Sequence, residues 1–181
     1  KTKGIVYIVT GNPLPSLYGV NRPGANKNTS SIVAFDLNAK NILWAFQDVR
    51  HDLWDYDIAS PPIIHNLEIE GKLFETVIAL TKTGNVILLD RNNGKPIFDL
   101  RYKKAPKSDV PNEITSKYQL DLEKPEKFAK IEFKESDFDS LPEEKVEEIK
   151  KIIKKSKIGW FEAPSFKKDL IVFGLHGGAQ W

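Results

Sequence analysis

The sequence predicts an all-β fold of the propeller type that is interrupted by one partly helical insertion. Short runs rich in β-branched and aromatic residues recur along the 181-residue chain at roughly ten-residue spacing, a cadence typical of sandwiches, barrels and propellers. Two of these units also resemble one another about fifty residues apart, and such a period indicates a propeller blade.

Seven runs along the chain are predicted strands because they are apolar, β-branched and bounded by turn-forming residues. In chain order they are IVYIVT from Ile5, SIVAFDL from Ser31, ILWAFQ from Ile42, IIHNLEIE, LFETVIALT, NVILLDR, and DLIVFGL from Asp169.

The two related units share a pattern of strand, aspartate, tight turn and second strand. Asp36 precedes Trp44 by eight residues in the first unit, and Asp90 precedes Phe98 by the same distance in the second. An aspartate at such a turn joins two strands of a small sheet. Two repeats are too few to close a propeller, so the rest of the propeller is an expected partner.

Residues 104–157 differ from the rest of the chain and are interpreted as an insertion between propeller strands in 1–103 and 158–181. This segment holds 13 lysines and 13 acidic residues, with almost no alternation of apolar and polar positions. Ser140 is expected to cap a helix, with Glu143 three residues later. A narrow apolar stripe should pack on the sheet body: Leu141, Val146, Ile149, Ile152 and Ile153. The length of the insertion favours a lid or a docking element.

The composition excludes several classes of function. With 27 basic and 25 acidic side chains, the formal charge of +2 predicts no binding of nucleic acid. The absence of cysteine excludes disulfides, thiolate metal sites and cysteine nucleophiles. No serine-hydrolase motif or phosphate-binding loop is present, and the three histidines lack the spacing of a zinc site.

The stretch HDLWDYD, residues 51–57, is the candidate site. It places Asp55 between Trp54 and Tyr56, and a carboxylate taken out of water beside large aromatic rings needs a cation, a metal or a proton partner. His51 is interpreted as a structural hydrogen-bonding residue. The four tryptophans are interpreted as packing residues.

Seven motifs resemble, in this order, the pyrroloquinoline-quinone (PQQ)-dependent dehydrogenases, most closely the membrane-type quinoprotein glucose dehydrogenases. They are TGNPLPSLYG (10–19), RPG (22–24), SSIVAFD (30–36), HDLWDYD (51–57), TKTGNVILLDRNNGKP (81–96), KSDVP (107–111) and GGAQW (177–181). The most specific likeness is the pair WD and KTG, in which Asp55 and Lys82 keep a separation of twenty-seven residues. The resemblance implies a fragment of an eight-bladed β-propeller.

The resemblance also implies roles for four residues. Asp55 would be the general base that takes the substrate's hydroxyl proton as hydride passes to the quinone, and Lys82 would bind and polarise the quinone carbonyls. Asn12 would be a ligand of the divalent cation, usually calcium, with magnesium or a lanthanide as alternatives. Asp57 matches an aspartate that adds a metal ligand in lanthanide-using relatives, but glucose-type relatives carry it too, so its role stays open.

The family likeness further implies an activity and a location. Lysine at position 82 favours oxidation of a glucose-like aldose over an alcohol, because alcohol-oxidising relatives often use arginine there. Electrons would pass to a membrane quinone from the periplasm, with any membrane anchor in parts outside this chain. The alternatives are a non-catalytic propeller scaffold and a sugar-binding homologue without redox function.

Three features depart from the family pattern or lie outside the chain. Lys40 stands where the blade turn normally has glycine, and Gln180 stands where alcohol-oxidising relatives often have asparagine. The family's metal-binding glutamate and the tryptophan under the quinone would lie upstream of Lys1. The isolated chain is therefore expected to be inactive.

Overall fold

Two three-stranded antiparallel sheets follow one another in the computed structural model, which describes residues 4–129 and 133–172. The first sheet contains β1 (Ile5–Val9), β2 (Ser31–Asp36) and β3 (Asn41–Gln47), in that order. The second contains β4 (Ile63–Ile69), β5 (Lys72–Leu80) and β6 (Val86–Asp90), also in order. Each sheet is an antiparallel meander, as in a propeller blade; β2 is the most buried strand of the first sheet, and β6 of the second.

Shorter elements follow the second sheet. Strands β7 (Tyr102–Lys104) and β8 (Tyr118–Leu120) form an antiparallel pair, and β9 (Lys157–Ile158) pairs in parallel with β10 (Leu170–Ile171). Between these pairs lie a short 3₁₀ helix at Glu135–Phe138 and helix α1 at Glu143–Lys155. Across 4–129 and 133–172, no helix combines the length and apolar character needed to cross a bilayer.

The aspartate turns of the two related units form as predicted. Asp36 Oδ1 accepts hydrogen bonds from the backbone amides of Asn38 (2.8 Å) and Ala39 (3.0 Å), and Asp90 Oδ1 accepts one from the amide of Asn92 at 2.8 Å. Lys40 has φ +54° at the position where the second turn has a glycine at φ +70°. The first turn therefore keeps the left-handed geometry even though a lysine adopts it at a steric cost.

Trp44 joins the first sheet to the turn of the second. Its indole Nε1 donates to the carbonyl of Arg91 at 3.2 Å, and Tyr7 Oη donates to the same carbonyl at 2.9 Å. A Cβ added at Gly94 would lie 2.6 Å from the indole ring, so the ring packs directly on glycine backbone. The sequence prediction that Trp44 packs between blades is confirmed.

Two apolar cores hold these elements. One lies between the two sheets and includes eight buried residues: Ile32, Ile58, Val77, Ala79, Ile87, Leu89, Leu120 and Leu122. The other contains buried Trp54 and Tyr56, which pack with Trp160 and Phe161 from the segment after α1. Residues within 104–157 and beyond it thus contribute to the cores around the candidate site.

The structure corrects the predictions for the helix. Helix α1 begins at Glu143 with Pro142 at its N-cap and no side-chain cap, so Ser140 does not cap it. No residue of α1 is buried, and its most extensive contact with another helix or strand of the described chain is with β9. Leu141 and Ile152 are exposed. The predicted packing of the stripe on the sheet body is therefore wrong, since its other members, Val146, Ile149 and Ile153, are only partly buried.

A second correction concerns the strand predicted around Phe98. The backbone there makes only an isolated bridge between Leu89 and Pro96. Two backbone hydrogen bonds flank this bridge, from the Asp90 amide to the Lys95 carbonyl at 2.7 Å and from the Ile97 amide to the Leu88 carbonyl at 2.9 Å, and the pairing does not extend to Phe98. The last predicted strand is described only as far as its β10 portion. GGAQW, with Gln180 and Trp181, lies outside the described residues.

Candidate active site

The segment that leaves β3 and the turn that follows β5 meet at one place. Lys82 Nζ donates to the backbone carbonyl of Asp55 at 3.0 Å and to Asp55 Oδ2 at 3.3 Å. The same nitrogen lies 2.5 Å from Asp57 Oδ1. The predicted meeting of Asp55 and Lys82 is confirmed, and Asp57 joins them as a second carboxylate.

A tight turn presents Lys82 at the end of β5. The amide of Gly84 donates to the carbonyl of Thr81 at 2.9 Å, and the amide of Thr81 donates to the carbonyl of Asn85 at 3.1 Å. Gly84 has φ +79°, and a Cβ there would lie 2.9 Å from the carbonyl oxygen of Ala129. Only glycine permits both the left-handed turn and this close approach of the insertion.

The charge of Lys82 is maintained by its neighbours. Partial burial lowers the pKa of its ammonium, but the hydrogen bond and charge of Asp57, with those of Asp55, outweigh that effect, so its pKa is raised above 10.5. The ammonium side chain is 13 % exposed. Lys82 therefore provides a fixed positive charge and a hydrogen-bond donor at neutral pH.

The aromatic neighbours of Asp55 do not enclose it. Trp54 and Tyr56 are buried in the core beside Phe161, whereas the Asp55 side chain is 40 % exposed. Asp55 has φ +60°, so the chain turns sharply between two buried rings. The expectation that Asp55 is taken out of water is not met among the described residues, because the left-handed backbone at Asp55 turns its side chain away from the two buried rings.

Asn12 and Asp57 are the predicted metal ligands, and the backbone brings their segments together. A Cβ at Gly11 would lie 3.8 Å from Asp57 Oδ2, so the residue before Asn12 runs beside this carboxylate. The Asn12 amide nitrogen is buried with no hydrogen-bond partner among the described residues. That nitrogen is a hydrogen-bond donor, so any oxygen ligand for calcium would be the Asn12 side-chain carbonyl together with the Asp57 carboxylate.

These residues fit a hard cation as part of a larger ligand set. In residues 4–129 and 133–172 no cluster of three or more His, Cys, Asp or Glu side chains could hold a metal by itself. Lys82 Nζ contacts Asp57 Oδ1, and Asp57 Oδ2 lies beside Gly11. Further oxygen donors would have to come from elsewhere to complete six to eight ligands.

Sequence reasoning missed two buried carboxylates beside the site, those of Asp48 and Asp52. Burial raises the pKa of Asp52, although hydrogen bonds from the amides of Trp54 and Tyr56 and from Ser30 Oγ oppose the rise. Arg22 donates to the Asp52 carbonyl at 2.5 Å. Asp52 thus shapes the loop that carries Asp55. The dense acidic pattern of residues 51–57 indicates a special loop but not which of its aspartates is buried.

His51 ties this loop to its surroundings. Its Nδ1 lies 2.8 Å from the carbonyl of Gly24, and its Nε2 lies 2.6 Å from Glu113 Oε1 in the insertion. Glu113 Oε2 accepts from the amide of Gly19 at 2.6 Å. The interpretation of His51 as a structural hydrogen-bonding residue is confirmed, and Glu113 links it to the loop that contains Asn12 and Gly19.

The chain matches a known family over its whole length. Residues 1–181 match the family model described as glucose/ethanol/alcohol dehydrogenase, β-propeller domain. The glycerol dehydrogenase large subunit of Gluconobacter thailandicus is 32% identical over 187 residues, covering 99% of this chain and 25% of that protein. The quinoprotein glucose dehydrogenase of Escherichia coli strain K12 is 34% identical over 108 residues, covering 59% of this chain and 13% of that protein.

Similarity to a solved structure covers part of the chain. The quinohemoprotein alcohol dehydrogenase of Comamonas testosteroni aligns with a TM-score of 0.49 and 30% identity, covering 59% of this chain and 16% of that one. The chain thus spans a quarter or less of the length of these relatives.

Proposed function

Because the chain belongs to the PQQ-dependent quinoprotein dehydrogenases and forms part of their β-propeller, we propose that its parent protein oxidises an aldose of the glucose type or an alcohol. PQQ, when bound, supplies the hydride acceptor, and the protein provides orientation, charge and a base. The observation that carries the proposal is the contact of Lys82 Nζ with Asp55 and Asp57.

Asp55 is proposed as the general base. Its carboxylate is half-exposed, which leaves it accessible to a substrate hydroxyl, and its Oδ2 lies 3.3 Å from the Lys82 ammonium. A carboxylate at this position can accept the proton of a substrate hydroxyl, and the ammonium lies close enough to orient it. The left-handed backbone at Asp55 holds the carboxylate apart from the buried rings on either side.

Lys82 is proposed to hold the quinone. The three N–H donors of its ammonium face the Asp55 carbonyl, Asp55 Oδ2 and Asp57 Oδ1, so a quinone carbonyl would take the place of one of these acceptors, at a position that the other two define. Its permanent charge would stabilise negative charge that develops on a carbonyl oxygen.

Asn12 and Asp57 are proposed to contribute oxygen ligands to a divalent cation, preferably calcium, with magnesium or a lanthanide as alternatives. The position of Gly11, the residue before Asn12, beside the Asp57 carboxylate supports this role. The remaining ligands would come from the rest of the propeller and from the cofactor. The charge of the cation would add to that of Lys82 in balancing the two carboxylates.

The wider setting is proposed from the same family membership. We propose that the protein works in the periplasm and passes electrons to a membrane quinone, anchored by parts outside residues 1–181. In the proposed domain division, residues 1–103 and 158–181 belong to propeller blades and residues 104–157 form the insertion. Glu113 supports a bracing role for that insertion.

The test uses the full-length protein reconstituted with PQQ and calcium. Dye reduction is measured with glucose, glycerol and simple alcohols. We expect turnover by wild type and a loss of about a hundredfold or more in Asp55→Asn, because a positioned base contributes about 10²–10⁴ in rate. PQQ absorbance should persist in the variant.

Asp36→Asn is the matched control, since asparagine also supports the turn that Asp36 caps. Unchanged turnover in Asp55→Asn would remove that residue from the mechanism. Full-length wild type that binds PQQ yet oxidises none of these substrates would favour the scaffold alternative. Sugar binding without quinone absorbance would favour a sugar-binding homologue.

A further inference from the structure

A buried polar cluster lies directly behind the turn that carries Lys82. Asp48, Thr81, Thr83 and Asn85 are each 1–2 % exposed. Asp48 accepts hydrogen bonds from Thr83 Oγ1 at 3.3 Å and from Asn85 Nδ2 at 3.2 Å. The hydroxyls of Thr81 and Thr83 lie 2.7 Å apart, and Asn85 Nδ2 also donates to Thr83 Oγ1 at 3.0 Å. Polar side chains alternate around Lys82 and all face the same carboxylate.

Burying this polar cluster costs free energy of desolvation, so its presence calls for an explanation. Burial raises the pKa of Asp48 to about 6 against the opposing hydrogen bonds of Asn85, Thr81 and Thr83. Within the described part of the chain, Asn85 Oδ1 is buried with no hydrogen-bond partner. A cluster that only filled space would be replaced at lower cost by apolar residues.

The cluster joins the two segments that form the candidate site. Asp48 begins the segment 48–57, which presents Asp55 and Asp57, and its own amide donates to the Ser30 carbonyl at 3.0 Å. Thr83 and Asn85 belong to the turn of Lys82. The Asp48 carboxylate therefore links the turn of Lys82 to the segment 48–57 through Thr83 and Asn85. Lys82 Nζ makes a second link to the same segment through Asp55 and Asp57.

We propose that Asp48 and Thr83 are positioning residues that hold Lys82 against Asp55 and Asp57. The catalytic consequence of this inference rests on the proposed function, because the position of Lys82 affects catalysis only if Lys82 holds the quinone. The positioning itself is a property of the protein without cofactor. The two claims can therefore be tested separately.

The principal variant is Thr83→Val, which removes the hydroxyl and keeps the side-chain shape. Thr83→Ser keeps the hydroxyl and should restore wild-type behaviour. Thr76→Val is the matched control in the same sheet, because the fully buried Thr76 also loses one hydrogen bond, from Oγ1 to the His65 carbonyl at 2.7 Å. Both valine variants should lower the thermal midpoint similarly.

The first measurement uses the full-length apoprotein. Acylation of Lys82 by acetic anhydride is followed by peptide mass spectrometry and compared with acylation of exposed lysines in the same sample. We expect Thr83→Val to increase the relative rate at Lys82 by about fivefold, the effect of one weakened hydrogen bond. Thr83→Ser and Thr76→Val should leave the rate at the wild-type value. Asp48→Asn provides a second variant with the same expected increase.

The second measurement is titration of the same proteins with PQQ, followed by absorbance. We expect Thr83→Val to weaken binding by about fivefold relative to Thr76→Val. If Lys82 is acylated at the wild-type rate in both Thr83→Val and Asp48→Asn, the positioning role is overturned. If the acylation rate rises but wild type binds no PQQ, the positioning role stands and the proposed function fails.

Discussion

The buried carboxylate of Asp48 predicts a measurable dependence of stability on pH. Its pKa is raised from 3.8 to about 6 by complete burial. Because the folded protein holds this proton more tightly than the unfolded chain, the contribution of Asp48 to stability is greatest below 3.8. It is lost as the pH rises towards about 6 and changes little above that value.

The expected size follows from the two pKa values. Each pKa unit corresponds to about 1.4 kcal/mol, so the step from 3.8 to about 6 corresponds to about 3 kcal/mol. Asparagine cannot ionise, so Asp48→Asn lacks this loss. Relative to wild type, the variant should gain about that free energy of unfolding between pH 4 and about 6.5.

The assay is thermal unfolding of the full-length wild type and Asp48→Asn at matched pH values across this range. Taking the difference between the two proteins removes the contributions of groups that titrate alike in both, including Asp52. We expect the difference in midpoint to move in favour of the variant as the pH rises and then to level off. A constant difference across the range would refute the assignment of a raised pKa to Asp48.

Two further predictions concern the blade turns. Gly94→Ala should destabilise the protein by about 1–3 kcal/mol, because φ is +70° and the new Cβ would lie 2.6 Å from the Trp44 ring. Denaturant unfolding measures this change. An unchanged midpoint would contradict the packing of Trp44 on this turn. Lys40→Gly should raise the free energy of unfolding by about 0.5–1 kcal/mol, since glycine relieves the left-handed strain at φ +54°. A lower midpoint in the same assay would show that the lysine side chain makes a compensating contact.

Much of the blade pattern could be read from local sequence. The aspartate turns at Asp36 and Asp90, and the packing of Trp44, follow from short-range rules of turn geometry and aromatic burial. The helix was the opposite case. An apolar stripe predicts that a helix has a buried face only when another apolar surface lies opposite, and α1 has no buried residue.

The candidate site was partly predictable. Spacing within the family motifs indicated the pair Asp55 and Lys82, and their side chains do meet. Spacing could not indicate Asp48, because an isolated aspartate before a loop resembles any solvent-exposed turn residue. Its burial depends on Thr83 and Asn85, which reach it from another sheet more than thirty residues along the chain.

Residue types and local spacing were sufficient to predict the all-β class and the repeated turns, whereas the pair Asp55 and Lys82 came from the family resemblance. Only the folded chain shows that Asp55 is 40 % exposed between two buried rings, that Asp57 shares Lys82, and that Glu113 contacts His51 beside the site. The physical reason is that burial and electrostatic partnership arise from the approach of segments distant in sequence, and no local pattern specifies that approach.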